Sequence, residues 1–369
     1  MKNAPVNRAS SQSAWRLAWR RVGIVLRSMW RRADGAYALT VLGLWLAVCI
    51  VSAIWTPYKL LYSDGRNVWA GPSMAHPLGA DGAGHDLLTW LMKGSLTQLG
   101  IVALVVACTA VLGLLGVWAS LGAHAGAGRG ARIWMVCVDT LIAVPTVLVA
   151  MLVSVPLGSS IAVVVLACSF AYSLSMVRVT RPVAQLAAAS PYVAASRSYG
   201  VGEARVFFTH VVPAIAPTMA VQLSMSAGTA ILAESGLTYL GIGVPAGVPS
   251  WGRSLATCAK LIAVHPLTVI WPGLIITAVV VALNLLGDAL RDCADPLVNA
   301  ELRRVGYEAA DVLDDKGDED DEDDRAADAA GIAGAFGAAD VPDAADPSNI
   351  SVAVSAKEES RWCFMFATS

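Results

Sequence analysis

Few residues in this 369-residue chain have the type and spacing to do chemistry. Its lysines, Lys2, Lys59, Lys93, Lys260, Lys316 and Lys357, never follow a glycine, so no glycine-rich phosphate loop closed by lysine can form. The seven cysteines include no C-x-x-C pair, and Cys49, Cys108, Cys137 and Cys168 lie in apolar runs as small apolar side chains. His76, Asp81, His85 and Asp86 could ligate a cation, but their spacing matches no recognised ligand set, and no metal is expected. The most informative stretch is Ser190 to Pro213. Ser190 suits a helix N-cap, Pro191 the first helical position and Gly200 the left-handed residue after the end. A second short helix is set up from Gly202 through His210, with Pro213 closing it. Tyr192, Ala195 and Tyr199 share one side of the first helix, and Phe207 with Val211 and Phe208 with Val212 pair on the second. Arg197 and Arg205 flank them. Such an elbow suits docking into a groove on another protein; the alternative is a surface loop that packs its aromatics against its own chain.

The elements that must position this elbow are membrane helices. Hydrophobic residues make up 56% of the chain and charged ones 15%, with a mean hydropathy of +0.60. That composition argues against a water-soluble enzyme. A bilayer core of about 30 Å needs roughly 20 apolar helical residues. Six segments qualify: Ala36 to Trp55, Leu96 to Leu121, Ile133 to Val155, Ser159 to Val177, Ala214 to Ala233 and Leu267 to Gly287. The second is free of charge from Leu96 through Gly128, and Gly113 and Gly116 would let a neighbouring helix approach closely.

Lysine and arginine give the orientation, because basic flanks are retained in the cytoplasm. Residues 1–35 hold eight, the 122–132 loop two and the 178–213 segment four, whereas the alternate loops hold three, none and two. Both termini are therefore expected in the cytoplasm. Cys258 is expected to label from outside if its loop is open, and Cys363 only from inside. The first apolar stretch starts late and runs full membrane length, so it reads as a retained anchor. Before it, Trp15, Trp19, Val22, Leu26 and Met29 recur at helical spacing beside arginines, the pattern of an interfacial amphipathic helix. The net charge of −2 conceals 22 basic against 11 acidic residues up to position 307, and 4 against 17 beyond it. The acidic tail is expected to be disordered, and this distribution points to a membrane body with a solvated appendage, with no nucleic acid as partner.

The chain resembles the membrane permeases of dipeptide and oligopeptide ABC importers, on several motifs in register. His76-Pro77-Leu78-Gly79-Ala80-Asp81 and Gly84-His85-Asp86 resemble the segment before span two, with His85 where that family has arginine. The elbow is similar to the family's EAA loop: Ala194, Ala195 and Ser196 fall at the E-A-A positions, Gly200 at its glycine and His210 to Pro213 at its closing segment. Ala233 to Gly243 and Pro249 to Gly252 resemble the outer segment after span five, and Asn284 to Asp288 with Asp295-Pro296 the C-terminal end.

The resemblance implies an all-α, polytopic bundle of six transmembrane helices with the type I importer, MetI-like fold. On this reading residues 1–35 are a basic cytoplasmic segment, 36–55 the first span and 56–95 an outer loop. Residues 96–298 form a five-helix core with the coupling loop at about 183–213, and 299–369 the tail. The implied partners are a second permease subunit in a heterodimer, two cytoplasmic ATPase subunits that alone bind ATP and Mg, an external solute-binding protein and the lipid bilayer. Coupling to the ATPase would fall to Tyr192, Ala194, Ala195, Ser196, Arg197, Gly200, Arg205, His210 and Pro213. The chain itself is expected not to be an enzyme. The competing reading is a secondary transporter or channel, which normally places ionisable groups at mid-membrane; Glu234 lies near the outer interface and Asp139 near the inner end of span three. Relatives that carry nickel or another small solute share these motifs.

Overall fold

The computed structural model describes residues 20–294, apart from residues 21, 61, 123–128 and 261. The basic N-terminus with Trp15 and Trp19, and the acidic tail with Cys363, lie outside the described residues. The helices are α1 (Ala33–Ile54), α2 (Leu87–Gly122), α3 (Arg129–Ile142), α4 (Thr146–Leu157), α5 (Ile161–Ala188), α6 (Pro191–Ser198), α7 (Glu203–Val206), α8 (Val212–Tyr239), α9 (Trp251–Ala259) and α10 (Pro266–Ala294), with a π-helical turn, Phe207–Val211, between α7 and α8. Among the described residues, α1, α2, α5, the continuous rod Glu203–Tyr239 and α10 are each long and apolar enough to cross a membrane.

The third apolar segment differs from expectation. It is two short helices, α3 and α4, interrupted at residues 143–145. Pro145 causes the interruption: it brings no N–H, and it biases Val144 away from helical angles. Pairing between helices shows that the interrupted segment nonetheless runs the length of the bundle. The hydroxyl of Ser169 on α5 donates to the carbonyl of Val105 on α2 at 3.3 Å. Further along, a Cβ on Gly113 would come within 2.6 Å of Met176 Sδ, and one on Gly116 would overlap Val177. Positions therefore rise together, α2 and α5 are parallel, and the chain between them must return from one end to the other. This geometry is compatible with six crossings.

Helix α2 begins nine residues before the apolar run, for a reason hydropathy does not register. Asp86 Oδ2 accepts the Thr89 backbone N–H at 2.8 Å and the Thr89 hydroxyl at 2.6 Å, capping the first turn. The polar residues that follow find partners: Lys93 Nζ donates to the Ser52 carbonyl at 2.6 Å, and the Ser95 hydroxyl to the Leu91 carbonyl at 2.9 Å.

At the opposite end of the bundle, Arg32 pairs with Asp34 at 3.0 Å and with Asp292 at 2.8 Å, joining the start of α1 to the end of α10. Residues 22–30 are helical, and Val25 and Met29 pack on Ala289 and Cys293 while Val22 and Leu26 stay exposed. The stripe expected to meet lipid therefore gives up Met29 to the bundle. Helices α8 and α10 approach through small residues: the Ser224 hydroxyl donates to the Leu283 carbonyl at 2.7 Å, and Gly228 faces Asn284.

Cys258, expected to be reachable from outside, is instead fully buried on α9, and burial pushes its thiol up to about 11. Thiol reagents attack the thiolate. The predicted outcome is that Cys258 resists a membrane-impermeant maleimide in intact cells, while Lys260→Cys, two residues along on exposed surface, labels. Labelling of Cys258 at the rate of Lys260→Cys would show that α9 leaves the bundle.

Candidate functional site

Helix α6 and the following turn are built by local backbone chemistry. Pro191 occupies the start, and the Ser190 carbonyl accepts the N–H groups of Val193 and Ala194, both at 3.1 Å. The Ser190 side chain does not cap the helix as expected. Its hydroxyl donates backward to the Ala187 carbonyl at 2.6 Å, the local bonding in which serine competes with capping. At the other end the Gly200 N–H donates to Arg197 and the Val201 N–H to Ser196, at 2.9 and 3.3 Å, with Gly200 at φ 77°. This is a Schellman ending, whose left-handed residue is glycine because a Cβ would crowd the next carbonyl.

Pro213 does not close the second elbow helix. It lies in the first turn of α8, and the elbow runs into the span without a stop. The π turn permits this: Val212 donates to the Phe207 carbonyl, five residues back, and the wider turn accommodates a residue that lacks an N–H. The second arm of the elbow and the fourth long helix, Glu203–Tyr239, are thus one rod.

The aromatics divide between anchor and surface. Phe207 and Val211 are buried among Val117, Met176, Val177 and Ile215, and Val193 roots α6 with no exposed surface. Tyr192, Tyr199 and Phe208 point outward, with Tyr199 88% and Phe208 64% exposed. Ala194 and Ala195 are exposed beside them and leave a low surface. His210 ties the two arms: its Nε2 lies 3.2 Å from the Ser196 hydroxyl, and its ring meets the Tyr192 ring edge-on at 5.7 Å.

Arg197 and Arg205, alike in sequence, have different surroundings. Arg197 makes a bidentate pair with Glu203, Nε to Oε1 at 2.9 Å and Nη2 to Oε2 at 3.1 Å, and its Nη1 donates to the Ala188 carbonyl at 3.2 Å. It braces the turn across Gly200. Arg205 is exposed and makes no ion pair among the described residues. Glu203 was not singled out from the sequence, because a pair six residues apart across a turn follows no helical or strand period. Behind the brace lies an open groove of about 680 Å³ lined by Trp118, Leu121, Gln185, Ala188 and Phe207. The predicted result of Arg197→Ala or Glu203→Ala is a loss of up to about 1 kcal/mol, since the pair is exposed. A double-mutant cycle read on thermal stability should show the second substitution adding nothing to the first; additive losses would mean that the two side chains act separately.

The end of the bundle opposite the elbow is organised around Glu234, which is completely buried. Its Oε1 accepts the hydroxyls of Thr238 and Ser250 at 2.9 and 3.0 Å, and its Oε2 that of Ser235 at 3.2 Å. Trp251, also fully buried, donates its Nε1–H to the Leu91 carbonyl at 3.1 Å. The result is that α9 is fastened to α8 and α2. His76, Asp81, His85 and Asp86 fold the loop between α1 and α2: His76 Nδ1 meets Asp86 Oδ1 at 3.0 Å, and Asp81 Oδ1 accepts the Ala83 and His85 N–H groups at 2.9 and 2.8 Å. No cluster of three or more potential metal ligands occurs among the described residues.

Antiparallel and parallel apolar helices, an elbow continuous with a span and a short helix fastened by a buried carboxylate at the opposite end define a multi-pass membrane protein. The family of binding-protein-dependent transport system inner membrane components matches residues 113–300. The chain is 31% identical over 278 residues to the glutathione transport system permease protein GsiD of Pectobacterium atrosepticum, an overlap of 73% of this chain and 90% of that protein. It is 31% identical over 261 residues to the nickel transport system permease protein NikC of Escherichia coli K12, covering 70% and 92%. A probable peptide ABC transporter permease protein, y4tQ of Sinorhizobium fredii, is 32% identical over 241 residues, covering 65% and 78%. The chain therefore belongs to the inner-membrane permeases of binding-protein-dependent ABC importers, and its helical bundle is of the MetI-like class.

Proposed function

We propose that this chain forms half of the translocation pathway of an ATP-driven importer for di- or oligopeptides and transmits ATPase movement through its elbow. The observation that carries this reading is the continuity of the elbow arm with the long span, Glu203–Tyr239, next to an exposed face of Tyr192, Tyr199 and Phe208. The Arg197–Glu203 pair and His210 hold that face rigid, so a partner's motion reaches the span and biases inward or outward access. Tyr192, Ala194, Ala195 and Arg205 are the surface residues of this site; Ser196, Arg197, Gly200, His210 and Pro213 position them.

The partners in this reading are a second, non-identical permease, two ATPases that bind ATP and Mg, and an external solute-binding protein. Hydrolysis belongs to the ATPases and not to this chain. Both termini face the cytoplasm, in keeping with the basic flanks. Peptide cargo is supported by the peptide permease among the relatives and by the glutathione permease, glutathione being itself a short peptide. The nickel permease relative, of equal identity, supports a second reading in which the cargo is a metal ion. The test is uptake by the complex reconstituted with its binding protein, using labelled dipeptides and Ni²⁺ in parallel. ATP-dependent uptake of dipeptide and not Ni²⁺ is expected. Uptake of Ni²⁺ alone would reverse the assignment, and uptake without ATP would remove the importer reading altogether.

A further inference from the structure

The helix ahead of α1, residues 22–30, carries three kinds of side chain on three faces. Arg32 is extended, at φ −99° and ψ 142°, and Gly35 leaves no room for a Cβ against the Met29 carbonyl, so α1 departs in a new direction instead of prolonging this helix. Val25 and Met29 lie about 40° apart around the helix, and they are the residues that pack on the bundle, against Leu286, Ala289, Leu290 and Cys293 of α10. Next come Val22, Leu26 and Trp30, within an arc of about 80° and 47%, 47% and 60% exposed. Arg27 and Arg31 follow, about 60° and 100° beyond Trp30. Both are exposed, and neither makes an ion pair among the described residues, whereas Arg32 has two carboxylates.

The depth of this helix follows from what it touches. The apolar run of α10 ends at Gly287, and Asp288, Arg291 and Asp292 come after it. Val25 and Met29 rest on residues 286–293 only, a stretch of about 10 Å, and on Leu39 near the start of α1. The helix therefore stays at the edge of the hydrocarbon, at the elbow end of the bundle. An apolar stripe ending in an exposed tryptophan suits the boundary between acyl chains and headgroups. Guanidinium groups about 120° round from the centre of that stripe reach sideways and toward water, the level of the phosphates, which arginine can bind bidentately. A lipid surface presents this order, hydrocarbon and then negative charge, along the whole helix; a soluble partner would have to reproduce both layers at the membrane boundary. In the proposed orientation the leaflet at this end is the cytoplasmic one, whose surface is negatively charged.

We propose that residues 22–31 are a binding site for anionic phospholipid, with Val22, Leu26 and Trp30 among the acyl chains and Arg27 and Arg31 on the negative headgroups. Bound lipid fastens the start of α1 and, through Met29 and Arg32, the end of α10. The site is independent of the cargo and goes beyond the importer reading. The test uses the full complex in phosphatidylcholine vesicles carrying a photoactivatable phosphatidylglycerol or, in parallel, a photoactivatable phosphatidylcholine; labelling of residues 22–31 is quantified by mass spectrometry. The phosphatidylglycerol probe is expected to label at least about fivefold more, the effect of a single basic residue at a charged surface. Arg27→Gln with Arg31→Gln should bring it down to the phosphatidylcholine level, while Arg27→Lys with Arg31→Lys should keep most of the difference. Both arginines are exposed, so each double variant should unfold at the wild-type temperature. Equal labelling by the two probes would overturn the proposal, as would undiminished phosphatidylglycerol labelling in the glutamine variant. Labelling by neither probe would show the face covered by protein and overturn it as well. The readout needs neither ATP nor transport, so failure of the importer reading remains distinguishable from failure of this one.

Discussion

Gly200→Val is expected to insert and assemble with its sister permease yet to lose most ATP-coupled uptake. Gly200 has φ 77°, and a Cβ there would meet no atom within 4 Å, so the substitution acts through the backbone alone. A branched residue in this region costs about 1 to 2 kcal/mol. The chain can escape the strain by opening the turn, which would move Tyr199 and break the Arg197–Glu203 brace. If the ATPase binds only the native turn, that strain weakens docking by about tenfold or more. Gly202→Ala is the control: its φ is −61°, its Cβ also meets nothing within 4 Å, and uptake should stay near wild type. Wild-type uptake and ATPase retention in Gly200→Val would remove the elbow from the coupling mechanism.

Glu234→Ala is expected to give the largest loss of stability. Three hydroxyls, on Ser235, Thr238 and Ser250, lose their common acceptor in a site without water access. A buried group left without a partner costs about 1 to 3 kcal/mol, and partial rearrangement should hold the total to roughly 3 kcal/mol. The loss should be local at first, releasing α9, so buried Cys258 becomes reactive to maleimide before the bundle unfolds. Glu234→Gln keeps an acceptor oxygen and should lose markedly less. A purified Glu234→Ala protein with wild-type thermal stability and a protected Cys258 would show that α9 is held by Trp251 and its packing alone.

The membrane segments were legible because burial in lipid demands long apolar helices, and composition alone reports them. Their ends were less legible. Helix α2 extends beyond the apolar run through Thr89, Lys93 and Ser95, polar residues satisfied by Asp86, Ser52 and Leu91, none of which hydropathy registers. Proline shows the same limit. Pro145 interrupts a helix, whereas Pro182, Pro217 and Pro272 sit inside unbroken ones. The local cost of proline is similar in each case; the surrounding packing decides whether the helix survives it.

Within the elbow, the Gly200 ending and the Pro191 start could be read directly, because each is fixed by the backbone chemistry of neighbouring residues. The role of Ser190 could not, since a hydroxyl can turn forward to cap or back to Ala187. The sequence by itself determined the apolar helices, the sorting of charge between loops and the left-handed turn at Gly200, all properties of contiguous residues. Only the tertiary structure decided that Arg197 braces Glu203, that Glu234 holds Ser250, that Cys258 is sealed and that Asp139 meets Arg178. Each of these depends on which distant segments are brought within a few ångströms, and no local propensity encodes that distance.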